Sequence, residues 1–448
     1  MGDVNQKIEI FERMPVKRAV IKQIAPSIAG QMITLVYSLA DTYFVGMLNS
    51  SAATAAIMVA FPMFLMLTAI SNLFGVGGAS ALARAMGKRD FEKARQVSAI
   101  SFWWGLAAGI CYSLLFLLVG KPVLRLCGGT ESTFFIALDY ARWVIFLGGP
   151  FTILNMLLAN LVRAEGSAVH ASIGVSMGGI LNILLDPIFV LPQFLGFGAA
   201  GAGMATAISN AAATGYFIVY ALKKRGDTVV SLAPERVRYS RQHLREIVSV
   251  GFPSAVQFAL TVVAVSIQTN FVSKYATEAV AGLGIVKKLD YLPLYFTMGV
   301  SNGLLPLLAY NYSVGNQARR KQAFRFGCMI SLGFSLICLV CYEAFAPALA
   351  GIFIDDPLTI QYTAGFLRRI VTAMPMMSLC YPMIVQFQAM GKAKPALVCS
   401  IVRKGVLDVP LSFLMDALVP LYGLMWVQPI VDTISLGIAA ILYKKHKV

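Results

Sequence analysis

Long apolar runs, separated by short polar breaks, succeed one another along nearly the whole chain. Runs of roughly 20 or more apolar residues match the hydrocarbon thickness of a bilayer and exceed what a soluble helix buries. They predict twelve transmembrane helices, at about 18–44, 52–82, 95–119, 134–160, 168–191, 199–222, 243–272, 279–310, 323–346, 358–388, 395–419 and 423–443. The short alternating segments of a transmembrane barrel are not evident. One connection is long and polar: Lys223 to Gln242 is rich in Lys and Arg and contains Pro234. It reads as a linker, 223–242, between an N-terminal lobe, 1–222, and a C-terminal lobe, 243–448.

The halves repeat. Ala25-Pro26-Ser27 opens the first span as Gly251-Phe252-Pro253-Ser254 opens the seventh, and Ser71-Asn72 ends the second as Ser301-Asn302 ends the eighth. Arg163-Ala164-Glu165-Gly166 pairs with Gln388-Ala389-Met390-Gly391, and Leu185-Asp186-Pro187 with Leu407-Asp408-Val409-Pro410. Six spans per half is an even number, so both halves insert in the same orientation as a parallel repeat. The predicted fold is an all-α integral membrane protein: two pseudo-symmetric six-helix lobes with a cleft between them.

Charge sets the topology. One set of loop ends carries most of the cations, including Lys7 to Lys22, Arg84 to Arg95, Arg163, the linker, Arg319 to Arg325, Lys392, Lys394, Arg403, Lys404 and the C-terminal lysines. The opposite loops hold Lys121, Arg125 and Lys274. The positive-inside rule therefore puts both termini and the linker in the cytoplasm of a bacterial-type cytoplasmic membrane. The net charge of +16 is explained by topology and contact with anionic lipid, without nucleic acid. With 58% hydrophobic and 13% charged residues and a mean hydropathy of +0.73, the chain is solvated mainly by lipid. The seven cysteines are scattered and the three histidines lie near span ends or in tails, which gives no zinc site and no nucleophile–base pair. Cys338 and Cys341 read as small packing residues in an apolar helix. An enzyme is not indicated, and no organic cofactor is expected.

A few polar residues interrupt the apolar runs. Asn182 and Asp186 are four apart and share one helix face. Rises of 1.5 Å per residue place Asp41 roughly 28 Å beyond Lys22 and Asp186 roughly 24 Å beyond His170. Thr206, about 8 Å inward from Gly201, falls in the same layer. Ionisable groups at membrane depth are costly and usually face a polar cavity or partner. Two carboxylates, an amide and a hydroxyl at one depth suit either an oxygen cage for Na⁺ or a carboxylate pair sharing a proton. Pro26 permits the helix that carries Asp41 to bend. In the second half Lys287 and Asp290 form a candidate internal ion pair or part of a substrate cleft. Met374, Met376 and Met377, around Pro375, are candidates for a soft binding surface.

Taken in order, Pro26, Ala40-Asp41-Thr42-Tyr43-Phe44-Val45-Gly46, Asn72 to Ala79, Gly87-Lys88-Arg89-Asp90, Arg163 to Gly166, Asn182 to Pro187 and Gly201 to Thr206 resemble the multidrug and toxic compound extrusion (MATE) family. The resemblance covers nearly the whole chain and is nearest the DinF/MepA-like branch. It implies a twelve-helix secondary antiporter that exports amphipathic, often cationic compounds against H⁺ or Na⁺ by alternating access; the chain is expected to act as a monomer. That branch places its ion-coupling network in the first lobe, on the positions of Asp41, Asn182, Asp186 and Thr206. Another branch uses acids in the seventh and tenth helices; here the seventh offers Gln257 and Gln268 and the tenth no acid. The alternative within the same superfamily is a flippase for lipid-linked precursors, which needs a cationic cleft for phosphate.

Overall fold

The computed structural model describes residues 2–48, 50–127, 130–272 and 274–445. Its helices are α1 (Gly2–Glu12), α2 (Val16–Gly46), α3 (Ser51–Gly87), α4 (Phe91–Leu126), α5 (Glu131–Ala141), α6 (Gly149–Ala164), α7 (Ala168–Val190) and α8 (Gly198–Lys223). They continue with α9 (Ser240–Val272), α10 (Thr277–Ser313), α11 (Gln317–Gly351), α12 (Pro357–Ile370), α13 (Met374–Ala389), α14 (Ala393–Ile401), α15 (Asp408–Leu418) and α16 (Gly423–Lys445).

Among the described residues ten helices are long and apolar enough to cross a membrane, counting α12 and α13 as one through their 3₁₀ turn at Val371–Ala373. An eleventh span is the pair α5–α6, bent by 50°. The stretch expected as one helix at 395–419 is instead α14 and α15 around a π-helical turn, Val402–Val406. Both breaks have a proline just beyond them, Pro150 and Pro410. Each ring lacks the N–H that would reach back one turn and crowds that carbonyl, so the ladder widens before it restarts.

The first helix, α1, is too short to span. In the sequence it precedes the first apolar run and carries charges such as Lys7, yet Phe11 is fully buried and stacks on Tyr310 at 5.1 Å. Arg319 of α11 caps its C-terminus by donating to the carbonyls of Ile10, Phe11 and Met14. At the same end, Lys7 reaches the buried carboxylate of Glu165 at 2.9 Å. Glu165 also accepts from Tyr220, Thr228 and the Val229 amide. Thus α1 touches both halves of the chain at the end that carries most of the cations.

The halves meet closely at that basic end. Helix α3 lies against α9 and α2 against α10, and glycine makes the approach feasible. A Cβ on Gly251 would sit 1.8 Å from the Leu73 carbonyl, and one on Gly77 would sit 2.0 Å from that of Ile247. Arg84 and Lys93 of the first half both pair with Glu246 of the second, at 2.8 and 3.1 Å. One apolar core here includes Leu82 and Leu157 together with Ile247, Leu304 and Leu308. Towards the other end the core divides. Leu67, Phe134 and Val144 belong to a first-half cluster, and Phe271, Leu283, Phe366 and Leu424 to a second-half cluster.

Candidate functional site

Two adjacent glycines on α7 position the polar residues. A Cβ on Gly179 would lie 2.9 Å from Ile33 and 3.2 Å from Tyr37, so α2 packs tightly there. A Cβ on Gly178 would lie 3.1 Å from Ala213 and 3.4 Å from the Ser209 carbonyl, so α8 packs as tightly on the neighbouring face. Helix α7 is held between α2 and α8, and its next turns carry Asn182 and Asp186.

The structure brings together the residues expected to share a layer. Asn182 Nδ2 donates to Thr206 Oγ1 at 3.4 Å and to Asp186 Oδ1 at 3.5 Å. Both contacts are at the long limit of a hydrogen bond and therefore weak. Asp41, half-buried on α2, lies within electrostatic reach of Asp186, and Tyr37 and Tyr140 lie within electrostatic reach of both acids. Asp186 has no exposed surface and Asn182 is 2% exposed, so both side chains are shielded from bulk solvent. Asp41 Oδ1, Asn182 Oδ1 and Asp186 Oδ2 are all buried, and none accepts a hydrogen bond within the described chain.

That imbalance has a definite chemical sense. A buried polar atom without a partner costs about 1–3 kcal/mol, and more for a charged group. Native folds leave few such atoms, and here three lie on Asp41, Asn182 and Asp186, the two acids being within electrostatic reach of each other. Oxygens of this kind suit a small cation or a proton.

The second-half candidates are placed differently. Lys287 and Asp290 are half-buried on α10 and within electrostatic reach of each other. Met374 is 1% exposed and packs in the second-half core with Phe366 and Leu424. Met377 is also buried, and Met376 is half-buried beside them. Helix α2 continues through Pro26, whose carbonyl accepts from the Ser172 hydroxyl of α7.

Sequence reasoning missed several groups. Arg403, tallied with the loop cations, is 2% exposed and pairs at 2.6 Å with Asp432, which has no exposed surface. Its guanidinium also lies over the Tyr381 ring, 4.5 Å from the centroid. Gln428 donates to Asp432 at 2.8 Å and accepts from Lys404 at 2.9 Å. Tyr37 had a signal, since it stands four residues before Asp41 and so shares its helix face. The position of Arg403 follows from the π-helical turn, which no apolar pattern announces.

Repeated helical halves, a closed basic end and an acid pair set among apolar spans mark a polytopic membrane transporter. Residues 26–188 and 253–414 each match MatE, and the chain belongs to that family; it is a transporter and not an enzyme. It is similar to the multidrug export protein MepA of Staphylococcus saprophyticus subsp. saprophyticus, with 30% identity over 438 residues, 98% of this chain and 95% of that protein. MepA of Staphylococcus aureus is 29% identical over 439 residues, with the same shares covered. Among solved structures, the outward-facing conformation of a multidrug resistance MATE family transporter of the MOP superfamily gives a TM-score of 0.91 at 24% identity, covering 98% of this chain and 97% of that one.

Proposed function

We propose that the protein is a secondary active multidrug efflux antiporter that exports amphipathic, cationic compounds in exchange for H⁺ or Na⁺. The carrying observation is the trio of buried, unpartnered oxygens on Asp41, Asn182 and Asp186. In this reading Asp41 and Asp186 bind the coupling ion, and Asn182 and Thr206 shape the pocket. A cationic drug and the bound ion repel each other, so each weakens the other's affinity by the same factor. The names of the MepA relatives support drugs as the exported class.

Alternating access is supported by the division of the core. The halves share one core at the basic end and have separate cores beyond it. The cation distribution supports a cytoplasmic position for that end and for both termini, and in this reading the closed end faces the cytoplasm. Met376, Lys287 and Asp290 are the second-half groups proposed to face the substrate, Met374 and Met377 back them from the core, and Pro26 is the point where α2 bends. The chain acts as a monomer surrounded by lipid. The flippase alternative needs cations available to phosphate, whereas Arg403 is tied to Asp432 and Lys404 to Gln428 and Asp408.

Equilibrium binding of a fluorescent cationic dye to the purified protein tests this reading. Raising either Na⁺ or proton concentration weakens dye binding in the wild type, and Asp41→Asn and Asp186→Asn remove that dependence. An ion dependence that survives in both folded variants overturns the proposed site.

A further inference from the structure

The second half carries the same constellation with one decisive exchange. The repeat that sets Asp186 against Asp408 sets Gly201 against Gly423 at the same shift in numbering. At that shift Asn182 falls on Lys404 and Thr206 on Gln428. The contacts repeat as well. Asn182 Nδ2 touches Asp186 at 3.5 Å and Thr206 at 3.4 Å; Lys404 Nζ touches Asp408 Oδ2 at 3.6 Å and Gln428 Oε1 at 2.9 Å. Three equivalent positions thus make two equivalent contacts, but the central group is neutral in one half and an ammonium in the other.

The remaining position changes in the same direction. In the register that sets Pro26 against Pro253, Asp41 falls on Gln268, which donates to the Leu424 carbonyl at 3.3 Å. The first half therefore presents two carboxylates and no cation. The second presents one carboxylate, Asp408, with a cation already beside it. Asp432, the other acid nearby, is closed off by Arg403 at 2.6 Å and by Gln428. Lys287 and Asp290 of α10 add one charge of each sign within reach of Lys404. The second-half cluster is electroneutral as the chain folds, whereas the first-half cluster is not.

We propose that the second half holds a repeat copy of the cation site, filled permanently by the chain's own Lys404 ammonium, so that ions exchange through one site per molecule. A tethered ammonium has a high effective concentration at Asp408, and free monovalent cations do not displace it. Its side chain is 14% exposed and that of Asp408 11%, so the pair is largely shielded. Asp408 Oδ2 accepts no hydrogen bond within the described chain, which fits an oxygen facing a cation at ion-contact distance. Trimming Lys404 back to the backbone uncovers a monovalent-cation site built of Asp408 and Gln428. The identification of the copy rests on the first half being a cation site, as proposed above; its test does not.

Melting temperatures of detergent-purified protein, measured at constant ionic strength while NaCl or NH₄Cl replaces choline chloride, decide the matter. All variants are made in an Asp41→Asn background, which silences the first-half site. Lys404→Ala melts lower in choline chloride and recovers with a saturable dependence on Na⁺ or ammonium. Lys404→Ala combined with Asp408→Asn shows no such recovery, and neither does the background carrying Lys404 intact. Should Lys404→Ala not fold, Lys404→Asn, which installs the side chain found at 182, gives the same comparison. Equal cation responses with and without Asp408 overturn the proposal and leave Lys404 as a structural ion-pair partner. A failure of the antiport reading would appear separately, as an unchanged ion response in the Asp41→Asn background.

Discussion

Closure of the basic end depends on Gly251, and a single methyl group tests this. A Cβ there would lie 1.8 Å from the Leu73 carbonyl oxygen, against an ordinary contact distance of at least 3.4 Å. Helices α3 and α9 must part by about 1.5 Å at this level to accept alanine, and the Gly77–Ile247 contact on the same seam resists that shift. Overpacking of this kind costs about 1–3 kcal/mol. The cost falls only on the conformation in which the halves touch, so it moves the balance towards a state open at the basic end by about 5- to 150-fold. Spin labels at Lys88 and Lys321, both exposed and on opposite halves, report the separation as a distance distribution. Gly251→Ala adds a longer-distance population that the wild type lacks. Gly333→Ala, where a Cβ meets nothing within 4 Å, leaves the distribution unchanged. A wild-type distribution in folded Gly251→Ala would refute the reasoning about the seam.

Other substitutions probe the buried charges and the α2–α7 contact. Arg403→Met strands Asp432 in the interior and lowers unfolding stability by about 3–5 kcal/mol; adding Asp432→Leu recovers most of it, as read by thermal unfolding of the double-mutant cycle. Lys7→Met removes the ammonium from Glu165, but four neutral donors remain there, Tyr220, Ser167, Thr228 and the Val229 amide. Its loss therefore lies at the lower end, about 3 kcal/mol, and Glu165→Gln added to it restores part of the melting temperature. Gly179→Val pushes α2 away from α7, because its Cβ would lie 2.9 Å from Ile33. Ion-dependent dye binding falls while the melting temperature changes less, since the strain is confined to one helix pair.

Much of the architecture was readable because lipid imposes one rule throughout: a span must be apolar over about 20 residues. The shared layer of Asn182, Asp186 and Thr206 was readable for a simpler reason, since helical rise converts sequence distance into depth. What escaped was set by partners. Ile8 and Phe11 look unremarkable in a charged N-terminal segment, and α1 buries them because Tyr310 and Arg319 arrive from residues far along the chain. Arg403 looked like a loop cation because counting charges assumes straight spans. The π-helical turn at Val402–Val406 turns it inward to Asp432 instead. The bends near Pro150 and Pro410 had a visible cause, but a proline alone does not say whether a helix kinks or breaks.

Ion-driven exchange in sealed vesicles tests the central claim most directly. Purified protein is placed in liposomes loaded with a fluorescent cationic dye, and pH and Na⁺ gradients are imposed separately. The account predicts dye movement driven by one of the two gradients, which names the ion, and loss of that movement in Asp41→Asn with the fold intact. Movement that continues undiminished in Asp41→Asn, or no movement under either gradient with folded wild-type protein, contradicts it.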